Sequence, residues 1–78
     1  MKIENGSPVI LKDSEGLEEH GLKKGTRGYA NSVIELPGEG TFVFFMPEAE
    51  RQSYVINLER LEIDKERLEG GEDYPMLN

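Results

Sequence analysis

Neither cysteine nor tryptophan occurs in this chain of 78 residues, and histidine occurs once. Without cysteine no disulfide can staple the fold and no thiolate can hold a metal, so apolar packing has to carry the stability. Long hydrophobic runs are missing too. The longest wholly apolar stretch is Phe42 to Met46, far short of the ~20 residues that span a bilayer. The amino-terminal Met1-Lys2-Ile3-Glu4-Asn5-Gly6 lacks the apolar core of a signal peptide, and the expectation is a soluble, cytoplasmic protein. Basic residues are scarce: 9 Lys and Arg against 16 Asp and Glu leave a formal net charge of -7 and a pI near 4.6. Most of such a surface repels phosphate backbones and anionic lipid, although a charge of this size also serves ordinary solubility.

The same scarcities bear on catalysis. His20 sits beside Glu18 and Glu19 in a polar loop, and neighbouring residues there point in different directions, so a metal or catalytic role would need partners from elsewhere. Ser7, Ser14, Ser32 and Ser53 have no other histidine to activate them, which leaves a nucleophilic triad unsupported. A domain this small lacks the deep, dry pocket that sets paired carboxylates apart as acid and base. Gly21, Gly25 and Gly28 do not form a phosphate-binding loop, because a strand rather than a helix follows them. The expectation is a chain with no enzymatic activity, no cofactor and no metal.

What is present is a pattern of short strands. Val9-Ile10-Leu11 follows Pro8 and is branched and brief, which favours extended structure. Residues 13–26 then read as a long polar surface loop, acidic in its first half and basic at Lys23, Lys24 and, just beyond, Arg27. A second strand is expected over Gly28 to Leu36. Leu36-Pro37-Gly38-Glu39 suits a type II turn, with proline second and glycine third. Thr41 to Met46 completes the hairpin, and Ser53 to Ile56 forms a fourth strand after the polar turn from Pro47 to Gln52. Asn57 can cap a single helical turn leading into a last strand near Leu61 to Asp64. The competing arrangement is one helix from Leu58 to Glu69 ended by Gly70-Gly71. Lys65 interrupts its apolar stripe, which favours the turn and strand.

Val9-Ile10-Leu11, then Gly21-Leu22-Lys23-Lys24-Gly25-Thr26-Arg27-Gly28-Tyr29-Ala30, the hairpin, and Tyr54-Val55-Ile56 together resemble a family of small bacterial barrels of the Src-homology and KOW type, a domain of unknown function. The resemblance covers most of residues 7–64. It implies an all-β fold of five strongly bent antiparallel strands in a partly open barrel, to which the residues after Asn57 add a short helical turn before the last strand. It transfers no catalytic residue. The third strand departs from the family's habit of a polar residue at its middle, and RNA-binding KOW barrels are usually basic where this chain is acidic. The domain is expected over 1–66, with an acidic, flexible tail over 67–78.

The third strand directs the functional reading. Alternate residues face opposite sides, so Phe42, Phe44 and Met46 share one side while Val43 and Phe45 share the other. Both sides are apolar, and only one can face the core. Leaving the other in water forgoes about 2 kcal/mol per large side chain, so something should cover it: the tail residues Tyr74, Met76 and Leu77, a second copy, or another protein. The expectation is a protein-binding module, monomeric or weakly dimeric, using Val43 and Phe45 as the exposed side, with Tyr54 and Tyr29 as further aromatic contacts. Two alternatives remain open. Lys23, Lys24 and Arg27 with a tyrosine could bind single-stranded nucleic acid, or the acidic surface could mimic nucleic acid and inhibit a DNA-binding protein.

Overall fold

The structure, a computed structural model, describes residues 2–69. The expected tail, with Tyr74, Met76 and Leu77, lies outside the described residues. Five antiparallel strands form one sheet: β1 (Pro8–Leu11), β2 (Arg27–Leu36), β3 (Gly40–Pro47), β4 (Tyr54–Asn57) and β5 (Leu61–Ile63). Their order across the sheet is β4-β3-β2-β1-β5. The fold is all-β, as the strand pattern predicts, and β4 and β5 do not pair, so the sheet is not closed. No helix among the described residues is long and apolar enough to cross a membrane.

Local chemistry accounts for the connections. Gly38 adopts φ 80°, which a type II turn demands of its third residue, and the Glu39 N–H donates to the Leu36 carbonyl at 2.9 Å. The Asn57 carboxamide oxygen accepts from the Glu59 N–H at 2.8 Å, capping a 3-10 turn over Leu58–Arg60. Residues 58–69 therefore divide into a turn, β5, and a short helix α1 (Lys65–Glu69). Helix forms only in the last part of the span that the rival sequence reading assigned to it. Asp64 starts α1 by accepting from the Arg67 N–H through Oδ1 at 3.3 Å, and α1 runs across the expected boundary between domain and tail.

The core comprises Val9, Leu11, Leu22, Ala30, Val43, Phe45, Ile56 and Leu61. Val43 and Phe45 are wholly buried at 0% exposure. This corrects the expected orientation of β3: these two face inward, and Phe42, Phe44 and Met46 are the outward side. The reason lies in the partners. Phe45 stands opposite Ala30, and Val43 lies between Val33 and Ile56, so the large Phe45 ring is set against a small neighbour and Val43 among branched ones.

Gly28 leaves the space that the Phe45 ring needs. A β-carbon there would come within 2.9 Å of Phe45 Cε1 and overlap the Met46 carbonyl oxygen. Residues 13–26 are also more than a surface loop. Leu22 is buried at 1% exposure and Leu17 packs against the same cluster, so this segment folds inward and plugs the core.

Two substitutions test this packing. Phe45→Ala should cost about 3–5 kcal/mol, most of what a small domain holds, and urea unfolding should show a chain largely unfolded without denaturant. Gly28→Ala should cost about 2 kcal/mol by overpacking, whereas Gly16→Ala, which meets no atom within 4 Å, should cost only its backbone strain at positive φ.

Candidate functional site

The register of β2 against β3 decides which side chains face water. Ala30 pairs with Phe45 but Ser32 pairs with Phe44, leaving Asn31 as an extra residue, a β-bulge. Before the bulge Gly28 and Ala30 point inward; after it the inward residue is Val33, opposite Val43. The shift sends Ile34 and Leu36 outward beside Phe42 and Phe44.

Ile34, Leu36, Phe42, Phe44 and Val55 line an outward groove of about 310 Å³. No other residue type lines it. Val55 is the most open of them at 62% exposure, with Leu36 at 42%. Its strand, β4, is an edge of the sheet. Residues Tyr54–Asn57 pair with β3 on one side only, and no other backbone hydrogen bond among the described residues reaches them. The free edge carries none of the charges, prolines or bulges that usually protect such strands. A second groove, of about 340 Å³, lies on the other side of β4, lined by Glu15, Gly16, Leu17, Ile56, Asn57 and Arg60 with Val55. Arg60 is anchored there through Nη1 to the Glu15 carbonyl, so this groove mixes polar groups with Leu17, Val55 and Ile56 where the first is wholly apolar.

The residues singled out from sequence are distributed differently. Val43 and Phe45 are in the core and out of a partner's reach. Tyr29 is half-buried on the outward face, its ring 4.7 Å beneath the Arg67 guanidinium, whose Nη2 also donates to the tyrosine hydroxyl. Tyr54 packs against the core, tilted against His20 with ring centroids 5.7 Å apart. Its hydroxyl donates to Glu50 at 2.8 Å and accepts from Gln52 at 2.6 Å. Each ring therefore already has a neighbour, Arg67 over Tyr29 and His20 against Tyr54.

Lys23 and Lys24 are exposed at the tip of the loop. Arg27 is engaged elsewhere, 2.7 Å from Glu66 and 3.6 Å from the buried Asp64. The hydrogen bond to Glu66, then the charge of Asp64, hold its guanidinium further above its ordinary pKa. The basic trio is thereby reduced to a pair. Asp64 was the residue to find: an aspartate followed by Lys65-Glu66, with acid in the first turn, is the signature of a helix start.

Compared with protein-family models, with curated proteins and with solved structures, the chain matches none.

The Tyr54 phenol lies above its ordinary pKa, chiefly because its proton is shared with Glu50. A raised folded-state value means that the stabilisation is present below the unfolded phenol's pKa and is lost as pH rises through the folded one. An alkaline NMR titration of the Tyr54 ring carbons should therefore show late ionisation, and Glu50→Gln should bring it earlier. An unchanged midpoint in that variant would mean that the hydrogen bond does not form in solution.

Proposed function

We propose that this chain is a non-enzymatic protein-binding module that receives an extended segment of its partner along the free edge of β4. The observation that carries the reading is the pair of grooves flanking that one edge, with Val55 shared between them. A strand laid beside β4 would satisfy its outward backbone groups, and its alternate side chains would fall into the two grooves in turn. Those over Phe42, Phe44 and Val55 are apolar. Those over Asn57 and Arg60 meet a mixed lining in which polar groups lie beside Leu17 and Ile56.

Charge narrows the partner further. Glu35, Glu39, Glu50 and Glu59 surround β2, β3 and β4, so lysine or arginine flanking the apolar positions would be drawn to the site and help to orient it. Five antiparallel strands in a sheet that does not close are in keeping with the partly open barrel of the Src-homology-type resemblance. Single-strand nucleic-acid binding has less behind it, with Tyr29 and Tyr54 each engaged by a neighbour and Arg27 paired. The nucleic-acid mimic keeps only the net charge in its favour.

A displayed library of random peptides selected on the full chain tests the reading. The enriched sequences should alternate apolar and polar residues and carry basic flanks. Val55→Asp, at a position too exposed to disturb the core, should weaken their binding at least tenfold, about 1.4 kcal/mol, with the circular dichroism spectrum unchanged. Changing Lys23 and Lys24 to glutamate should leave binding intact. Enriched peptides indifferent to Val55→Asp would overturn the proposal, and binding of oligonucleotides abolished by the lysine changes would replace it.

A further inference from the structure

The free edge of β4 has a definite polarity of its own. Ala30 uses its backbone groups on the residues ahead of β1: its N–H donates to the Ser7 carbonyl at 2.8 Å, and its carbonyl accepts from the Gly6 N–H at 2.6 Å. Antiparallel strands alternate hydrogen-bonded and non-hydrogen-bonded pairs, so Ala30–Phe45 is of the second kind and the Phe45 backbone turns instead to Tyr54. Alternation along β4 then directs the backbone groups of Tyr54 and Ile56 to β3. Those of Val55 and Asn57 point away from the sheet, and no turn, loop or cap among the described residues takes them up. Val55 is therefore the centre of an open hydrogen-bonding edge.

An edge centred on Val55 complements a second copy of itself. Antiparallel pairing about a two-fold axis at Val55 sets each residue opposite the one equally far along on the other side. Val55 meets Val55 of the second copy and exchanges both N–H and C=O bonds with it, and Ser53 meets Asn57. Further out the charges match as well. Glu50-Arg51 precedes the strand and Glu59-Arg60 follows it, so the axis brings Arg51 to Glu59 and Glu50 to Arg60, four and five residues from Val55 on either side. A register slipped by one residue would oppose Arg51 to Arg60 or Glu50 to Glu59 instead. Arg51 and Glu59 are exposed, and neither forms an ion pair among the described residues. Residues 50–60 hold two acids and two bases, a net charge of zero in a chain of net charge -7. Two acidic molecules can meet here without bringing like charges together.

We propose that β4 pairs with β4 of a second copy, antiparallel about a two-fold axis at Val55, so that a binding partner has to displace the chain's own strand. The proposal rests on the reading of the β4 edge as a docking site and adds its resting occupant. Arg51 and Arg60 are the basic flanks that this reading asks of a partner strand. Opposite residues of an antiparallel pair share a face, so the two Val55 side chains lie together and the apolar grooves of both copies, with Phe42 and Phe44 behind Val55 in each, run into one another.

Sedimentation velocity and NMR on the full chain, from about 10 µM to about 1 mM, test the pairing. With four residues in β4 the interface is small and the association weak and reversible, so the sedimentation coefficient should rise with concentration. In a mixture of 13C-labelled and unlabelled chains, isotope-filtered spectra should show a nuclear Overhauser contact between the Hα of Tyr54 in one copy and the Hα of Ile56 in the other, the close non-hydrogen-bonded pair of this register. Arg51→Glu alone or Glu59→Arg alone should weaken the dimer at least about threefold, since each sets like charges opposite one another at two places. Both changes together should restore it. A chain that stays monomeric throughout, a dimer without the Tyr54–Ile56 contact, or a dimer indifferent to the charge reversals would overturn the proposal. A saturating peptide selected on the edge of β4 should convert the dimer into a one-to-one complex, and a dimer that survives with peptide bound would likewise overturn it. Peptide binding sensitive to Val55→Asp in a chain that never dimerises would remove the self-pairing and leave the docking site standing. A dimer with the Tyr54–Ile56 contact and no peptide binding would do the reverse.

Discussion

The extra residue at Asn31 is the constraint on which the surface of this protein depends. Strict alternation from Ala30 would carry Ser32 and Ile34 inward; the bulge instead turns Val33 to the core and puts Ile34 and Leu36 beside Phe42 and Phe44. Bulges bend a strand and increase its twist, and here the bend lies where β2 leaves β1, just past the Pro8–Tyr29 pair. The Asn5 carboxamide oxygen accepts from the Val33 N–H at 2.8 Å, holding the strand after it has bent away. One inserted residue thus creates the apolar groove and removes its side chains from the core together.

At the other end of β2 the chain does the opposite and covers what would be exposed. Arg27, Asp64, Glu66, Arg67, Tyr29 and Glu48 form a continuous network between α1 and the sheet. Asp64 is its centre, at 1% exposure, meeting a helix start with one oxygen and Arg27 with the other. Removing one partner of so buried a charge costs more than the pair itself contributes, because the other is left unmatched. The exposed Arg27–Glu66 contact adds little by comparison. The network sets the position of α1, and with it the point from which the chain continues.

Much of the fold was legible in the residues because local and global signals agreed. Pro37-Gly38, Asn57 and the branched or aromatic runs each named their element, and the five strands followed one after another along the chain. The outward face was not, for two physical reasons. Phe42 to Met46 is apolar at every position, so alternation says that there are two sides without saying which one is inside. The side was chosen by packing across the sheet: Ala30 and Gly28 leave room for Phe45 and for nothing larger than hydrogen at position 28. A bulge also leaves no mark in a string of letters, and Asn31-Ser32 looks like any polar pair. Leu22 was concealed in the same way, one apolar residue in a polar loop, where depth depends on a path that composition does not describe.

Pairing of Val9 with Ile63 joins segments separated by nearly the whole described chain. The β2–β3 hairpin, by contrast, is local and closed by the three-residue loop Pro37-Gly38-Glu39. A topology of this kind has high contact order and folds on a scale of roughly milliseconds to seconds, since the large loop must close before its contacts repay the lost entropy. The groove on β2, β3 and β4 can thus exist while β5 is still undocked, but the α1 network cannot. During synthesis and after each opening, the sheet would present its sticky edge before β5 and α1 are in place.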